Sequence, residues 1–118
     1  MRTLTRLDSN PKQVLYFTTD SKQRIKFYFY FLPTQQSWFL DIEVDDFKLY
    51  GTRLCVLPNL FEKYSNILEW GLNVQTKDGL DPFQLTDFST GYCTVSVLDK
   101  DEVKYVRDVL NGKIESDI

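Results

Sequence analysis

The strongest pattern in the chain is a strict alternation of apolar and polar residues, which predicts β-strands. Every second residue of the segment 38–44 is apolar, and strand side chains point alternately to the two faces of a sheet. The segment 25–32 alternates in the same way. Its apolar face consists of Ile25, Phe27, Phe29 and Phe31. We therefore expect strands with one buried face, and we place Trp38 on that face, in the core.

Turn residues and prolines divide the chain into further strands. Seven strands are predicted, at 13–19, 25–32, 38–44, 47–50, 52–57, 70–76 and 92–98. Gly51 separates the fourth strand from the fifth, since glycine readily permits a bend. The segment 59–68 is either irregular or one or two turns of helix, and 80–88 is an ordered loop. The sequence therefore predicts an all-β, single-domain fold, an antiparallel β-sandwich or barrel of about seven strands with a short C-terminal α-helix.

The last part of the chain has a helical pattern instead. Asp99 precedes Glu102 by three residues, a spacing at which the two side chains cap a helix N-terminus. Apolar residues then recur every three or four positions over about 100–111, and Asn111-Gly112 is a typical helix stop. We predict four segments. They are an extended arm at 1–9, a β-domain at 10–98, a C-terminal helix at 99–112 and a tail at 113–118.

The composition excludes several kinds of active site. The chain has 118 residues, no histidine and two cysteines, Cys55 and Cys93. Triads and zinc sites that need histidine are therefore excluded, and two thiols are too few for a four-thiolate zinc site. We expect reduced, buried thiols and no catalytic residue, cofactor or metal. No segment is apolar over the roughly 20 residues of a membrane span, and residues 1–10 lack the apolar core of a signal peptide, so we expect folding in a cytoplasm.

Charge is distributed unevenly along the chain. The formal net charge is −3, yet residues 1–26 contain six Lys and Arg against two Asp, a net +4, and the remaining 92 residues have a net −7. A basic end on an acidic body suits docking or head-to-tail assembly, whereas an acidic body repels nucleic acid. The best candidates for a cation site are the carboxylates Asp41, Glu43, Asp45 and Asp46. Like charges on one strand face are more typical of a solvated surface.

Aromatic residues make up 15% of the chain, and several of them lie beside cations. Both faces of the strand 25–32 contain aromatic residues, so neither face is expected to be fully exposed to water. We therefore predict a protein-contact surface. The candidate contact residues are Arg2, Arg6, Arg24, Lys26, Tyr28, Tyr30 and Trp70. Aromatic residues and cations on one strand are also typical of an OB-like module that binds single-stranded nucleic acid, which is the alternative. A sugar-binding β-sandwich is a third possibility.

Several short motifs follow one another in a set order between about residues 10 and 98. They are Asn10-Pro11-Lys12-Gln13, the strand from Ile25 to Phe31, Trp38-Phe39-Leu40-Asp41-Ile42, Gly51 with Leu54 to Leu57, Pro58-Asn59-Leu60-Phe61, Gly71-Leu72-Asn73-Val74, Asp81-Pro82-Phe83, Thr86-Asp87-Phe88, and Gly91 to Leu98. In this order they resemble the small central baseplate plug proteins of contractile-tailed phages, of the type found in a cyanophage. The segment 99–118 lies outside the pattern.

This resemblance implies a structural protein of the virion, not an enzyme. Such plugs lie on the central axis of the tail baseplate, where they close or line the end of the tube. The expected partners are the hub and spike and the tape-measure protein. A position on the axis implies a homo-oligomer under cyclic symmetry, with a trimer favoured. The resemblance brings no catalytic residue with it, and it implies a place in the tail baseplate after assembly in the host cytoplasm. The missing apolar span and the acidic body lead us to expect no membrane partner and no nucleic-acid partner.

Overall fold

Seven strands and one helix form in residues 1–110, the part of the chain that the computed structural model describes. The elements are β1 (Arg2–Thr3), β2 (Lys12–Thr18), β3 (Arg24–Leu32), β4 (Ser37–Val44), β5 (Phe47–Arg53), β6 (Gly71–Thr76), β7 (Cys93–Leu98) and α1 (Lys100–Leu110). One sheet has four strands in the order β2-β3-β4-β5, and the other has three in the order β1-β7-β6. All pairings are antiparallel. Seven strands in two antiparallel sheets confirm the mostly β class. Neither sheet closes on itself within these residues.

The two sheets share one hydrophobic core. The four-stranded sheet contributes residues that are at most 3% exposed, namely Ile25, Phe27, Phe29, Trp38, Leu40, Ile42 and Val44. The three-stranded sheet contributes Leu72, Val74, Cys93, Val95 and Val97. The predicted alternation in β3 and β4, with Trp38 in the core, is confirmed. Burial of these apolar side chains is the main force that holds the sheets together.

The predicted strands at 47–50 and 52–57 are wrong as separate elements, because β5 continues through Gly51. The pairing of β4 with β5 shifts register between Leu40 and Ile42, so β5 contains a bulge. Gly51 lies at the bulge with φ +74°, a conformation that glycine adopts without strain. Its N–H donates a hydrogen bond of 2.7 Å to Asp41 Oδ1. The bend therefore occurs within a paired strand and does not end it.

The chain on either side of the predicted β-domain is ordered beside β7, as a strand before it and as a helix after it. Residues 1–9 contain β1, in which Arg2 pairs with Val97 and Thr3 with Ser96. At the other end, Asp99 and Glu102 cap α1 reciprocally, with N–H to carboxylate distances of 2.9 and 3.2 Å. The predicted cap is confirmed. The predicted stop at Asn111-Gly112 and the predicted tail at 113–118 lie outside the described residues.

The long connections are ordered by buried polar side chains. The segment 59–68 contains a single 3-10 turn, Glu62–Tyr64. In the loop 80–88, the buried Asp87 carboxylate accepts the N–H groups of Phe83 at 2.7 Å and Gln84 at 2.8 Å. The indole N–H of Trp38 donates to the carbonyl of Gln84 at 3.0 Å. These bonds confirm the predicted ordered loop and fix it against the core.

Candidate protein-interaction surface

The face of the four-stranded sheet that points away from the core, called the outer face below, is aromatic and charged. Strand register places one set of side chains on it, because directly paired residues share a face. The set is Lys12, Val14, Tyr16, Thr18, Arg24, Lys26, Tyr28, Tyr30, Phe39, Asp41, Glu43, Lys48, Tyr50 and Arg53. No other element covers this face within residues 1–110, so it is available to a partner.

Aromatic rings form a connected row across the middle of the outer face. The ring centroids of Tyr28 and Tyr30 are 5.2 Å apart, and Tyr30 stacks on Phe39 at 5.8 Å. At the edges of the sheet, Tyr16 and Tyr50 are more than half exposed, at 52% and 58%. Contiguous apolar surface of this kind marks interaction sites, since isolated domains rarely leave it open to water.

The cations of the outer face outnumber its carboxylates. There are five cations, Lys12, Arg24, Lys26, Lys48 and Arg53, against Asp41 and Glu43, so the face has a net charge of +3. Since the formal net charge of the chain is −3, all other residues together have a net −6. The guanidinium of Arg24 lies 4.5 Å from the ring centroid of Tyr16, an arrangement that holds this cation over an aromatic ring.

Two tyrosines fix the carboxylates of the outer face. The hydroxyl of Tyr50 donates to Glu43 Oε1 at 2.7 Å, and the hydroxyl of Tyr30 donates to Asp41 Oδ1 at 3.2 Å. The first bond lowers the pKa of Glu43 and raises the pKa of Tyr50. Burial, followed by the charge of Asp41, raises the pKa of Tyr30. At neutral pH the tyrosines are therefore neutral donors and Glu43 is ionised.

The structure brings four of the predicted contact residues together and separates the other three. Arg24, Lys26, Tyr28 and Tyr30 all lie on the outer face. Arg2 lies in β1, where it pairs with Asp20, and Arg6 is exposed in the connection that follows. The basic segment 1–26 is therefore not one surface.

Trp70 is in the core, so its prediction as a surface contact is corrected. Its side chain is 2% exposed and makes edge-to-face contacts with Phe27 at 5.7 Å and Phe61 at 5.6 Å. The position directly before β6 directs this ring between the two sheets. Other residues of the outer face were missed, among them Tyr16, Phe39 and Tyr50. Strand register alone identifies them, and register is not apparent from one sequence.

The two cysteines have surroundings that are typical of unreactive thiols. Burial, with a further contribution from Asp87, raises the pKa of the Cys93 thiol to about 12, and burial also raises the pKa of Cys55. Neither cysteine is in a disulfide, and Cys55 is only half-buried, which corrects the expectation for that residue. Among residues 1–110, no group of three or more His, Cys, Asp or Glu side chains is placed to hold a metal ion.

A second surface, called the acidic end below, lies where α1 begins. It surrounds a cavity of about 310 Å³ that is lined in part by Asp20, Glu69, Asp99, Asp101 and Glu102. The turn at Asp45 and Asp46 lies beside the turn of residues 19–23, part of which lines the cavity, since Gln23 Nε2 donates to Asp45 Oδ2 at 3.2 Å. We define the acidic end by these seven carboxylates. Two of them are paired, Asp20 with Arg2 and Glu102 with the Met1 ammonium at 2.7 Å.

These two surfaces are typical of a protein that binds other proteins, and comparison with protein families agrees. A family model described as cyanophage baseplate Pam3 plug gp18 matches residues 1–102. The chain belongs to this baseplate plug family. The resemblance in the motifs is thereby confirmed, and the match extends beyond them to β1 and to the capped start of α1.

Membership of the plug family assigns a place and a role. The plug is a structural protein of the tail baseplate of a phage virion, and it interacts with other baseplate components. Comparison with curated proteins finds no match. Within residues 1–110, no helix is long and apolar enough to cross a membrane.

Proposed function

We propose that this plug lies on the central axis of a contractile-tail baseplate, contacts the hub and spike, and closes or lines the end of the tube. The family match over residues 1–102 is the observation on which the proposal rests. The role is structural and not enzymatic. The two open sheets around one core favour a sandwich over a barrel, and this rigid body acts as a spacer. The tape-measure protein is a further partner, and the plug is present as a cyclic oligomer, with three copies favoured.

In this proposal the outer face is the surface through which the plug is held in the baseplate assembly. Its strands are paired with one another, so its backbone is fixed before any partner binds, which lowers the entropy cost of binding. Tyrosine and arginine are enriched where protein interfaces concentrate their binding energy. The face offers exposed Tyr16 and Tyr50 together with Arg24. Arg2, Arg6 and Trp70 are not part of it.

Incorporation into particles tests this function. Phage that lack the gene for the plug are complemented with the wild-type chain, with Tyr16→Ala/Tyr50→Ala, or with Tyr105→Ala, which removes a similarly exposed ring of α1 (47% exposed). We expect density on the baseplate axis with the wild-type chain and the control, and at least about a tenfold loss of copies with the double variant. Intact particles that lack the protein at the axis would refute the proposal.

A single-stranded nucleic-acid module is the second candidate, and the stacked row of Tyr28, Tyr30 and Phe39 beside cations favours it. Bases stack on such rings in nucleic-acid-binding proteins. The net −6 of the other residues opposes it, because phosphates are repelled by most of the surface. Titration of a fluorescent oligonucleotide distinguishes the two functions. Salt-sensitive binding that is lost in Tyr28→Ala would favour the nucleic-acid module over the plug contact.

A further inference from the structure

We propose that the outer face of one copy binds the acidic end of a second copy, so that the plugs assemble head to tail. The inference rests on the proposed function in one respect. The proposed function makes the outer face a contact surface, and the inference names the partner that binds there. The proposal concerns two different surfaces of the same chain, which adjoin at the turn of Asp45 and Asp46 between β4 and β5.

Charge complementarity is the first argument. The outer face has a net +3. At the acidic end, five carboxylates have no ion pair within residues 1–110, and all five are exposed. They are Asp45, Asp46, Glu69, Asp99 and Asp101. The exposed cations beside them are Lys22, Lys100 and Lys104, which leaves a net −2. The two surfaces therefore have opposite charge, which guides association and fixes the orientation of partners.

The second argument is that the outer-face cations have no ion pair within residues 1–110 of one copy. None of the five lies within 4 Å of a carboxylate oxygen in the described part of the chain. Glu43 lies between Lys26 and Lys48 in the strand register, yet its close partner is the hydroxyl of Tyr50. The cations are thus free to pair with carboxylates of another molecule, around a row of rings that excludes water from the contact.

The symmetry of such a contact fits a position on an axis. An interface between two different patches is heterologous, and successive copies close into a ring when the rotation between them divides a full turn. The attraction between exposed charges is screened by salt. The screening length falls from about 10 Å at about 0.1 M salt to about 3 Å at about 1 M. Self-association is therefore expected to weaken as salt rises.

The test uses the purified full-length chain and two matched charge reversals. Lys26→Glu/Lys48→Glu reverses the outer face, and Asp46→Lys/Glu69→Lys reverses the acidic end. A control, Arg6→Glu/Lys77→Glu, makes the same change in net charge as the first variant at two exposed residues outside both surfaces. Oligomeric state is measured for each by sedimentation velocity and native mass spectrometry over a range of protein and salt concentrations.

The expected result is specific to the pair of surfaces. Wild type and control self-associate, each reversal weakens the apparent affinity by about tenfold or more, and an equimolar mixture of the two reversals associates again. Equal weakening by the control, or no recovery in the mixture, would overturn the proposal.

The same variants separate this inference from the proposed function. A wild-type chain that stays monomeric, while Tyr16→Ala/Tyr50→Ala is lost from particles, would mean that the outer face binds a different baseplate protein. Self-association of a chain that is absent from the baseplate axis would instead leave the inference standing and refute the proposed function.

Discussion

Asn59 is buried beside Gly71 and joins two segments that are distant in sequence. Its side chain is 3% exposed, and its Oδ1 accepts the N–H of Phe61 at 3.0 Å and the N–H of Leu72 at 3.2 Å. A Cβ atom on Gly71 would lie 2.5 Å from that oxygen. Position 71 therefore requires glycine for space, because the amide that it contacts is held in place by two buried hydrogen bonds.

Substitutions at these two positions should therefore be coupled. Asn59→Ala leaves two buried N–H groups without an acceptor and is expected to lower the free energy of unfolding by at least about 1–3 kcal/mol. Gly71→Ala is expected to cost about 1–3 kcal/mol through the clash. In the Asn59→Ala background the clash is gone, so Gly71→Ala should cost much less there. Urea denaturation measures all three variants. Asn66→Ala, at an exposed position, is the control, and additive costs would contradict the clash.

Ionisation of the Cys93 thiol is predicted to lower the free energy of unfolding at alkaline pH. Its pKa is about 12 in the folded chain, against an ordinary value of 9.0. Because the folded pKa is the higher one, the contribution is complete below about pH 9 and is lost as pH rises towards 12. The free energy of unfolding should fall more steeply with pH for the wild type than for Cys93→Ala over that range. Parallel pH profiles would show that the thiol ionises as freely in the folded chain as in the unfolded one.

At the scale of single elements, the N-terminus of α1 depends on one side chain. Asp99→Ala removes the acceptor for the Glu102 N–H and is expected to cost about 1 kcal/mol. Asp101→Ala is the matched control, because that carboxylate lies in the first turn, where it interacts with the helix dipole, an effect of about 0.3–1 kcal/mol, and it accepts no hydrogen bond from residues 1–110. Unfolding followed by circular dichroism measures both. Equal losses for the two variants would mean that the cap contributes nothing beyond its charge.

Elements with a strong local pattern were predictable, and elements defined by distant partners were not. β3 and β4 follow from alternation, and the cap of α1 follows from the three-residue spacing of Asp99 and Glu102. β1 has only two residues and exists because β7 lies beside it. From the sequence alone, Gly51 is predicted to separate two strands. A single sequence does not show that strand pairing continues on both sides of a bend.

The candidate site was predicted only in part, because it is a property of the whole sheet. Arg24, Lys26, Tyr28 and Tyr30 lie on one strand and its boundary, so alternation places them on a common face. Phe39 and Tyr50 join them through pairing with other strands. Trp70 was misplaced because its burial depends on Phe27 of the other sheet. The uneven distribution of charge along the chain is visible in the sequence. The fold is needed to show that positive charge collects on the outer face and negative charge at the acidic end.

At the scale of the molecule, the shared core predicts that both sheets unfold together. Two tryptophans serve as reporters, Trp38 in β4 and Trp70 directly before β6, and Phe27 of the four-stranded sheet contacts Trp70 at 5.7 Å. The variant Trp70→Phe therefore reports on the four-stranded sheet through Trp38, and Trp38→Phe reports on the contact between the two sheets through Trp70. Both substitutions remove core volume, so both are expected to lower the denaturation midpoint. The fluorescence transition is therefore compared with the circular-dichroism transition of the same variant.

In each variant the fluorescence transition should coincide with the loss of far-ultraviolet circular dichroism, which is the test for two-state unfolding. The physical reason is that neither sheet buries its apolar face without the other, so loss of one exposes the core of both. A tryptophan signal that changes at a lower denaturant concentration than the circular dichroism would show that the four-stranded sheet, for Trp38, or the contact between the sheets, for Trp70, opens first. The plug would then be two weakly coupled sheets, and a rigid spacer could not be built from it without support from partner proteins.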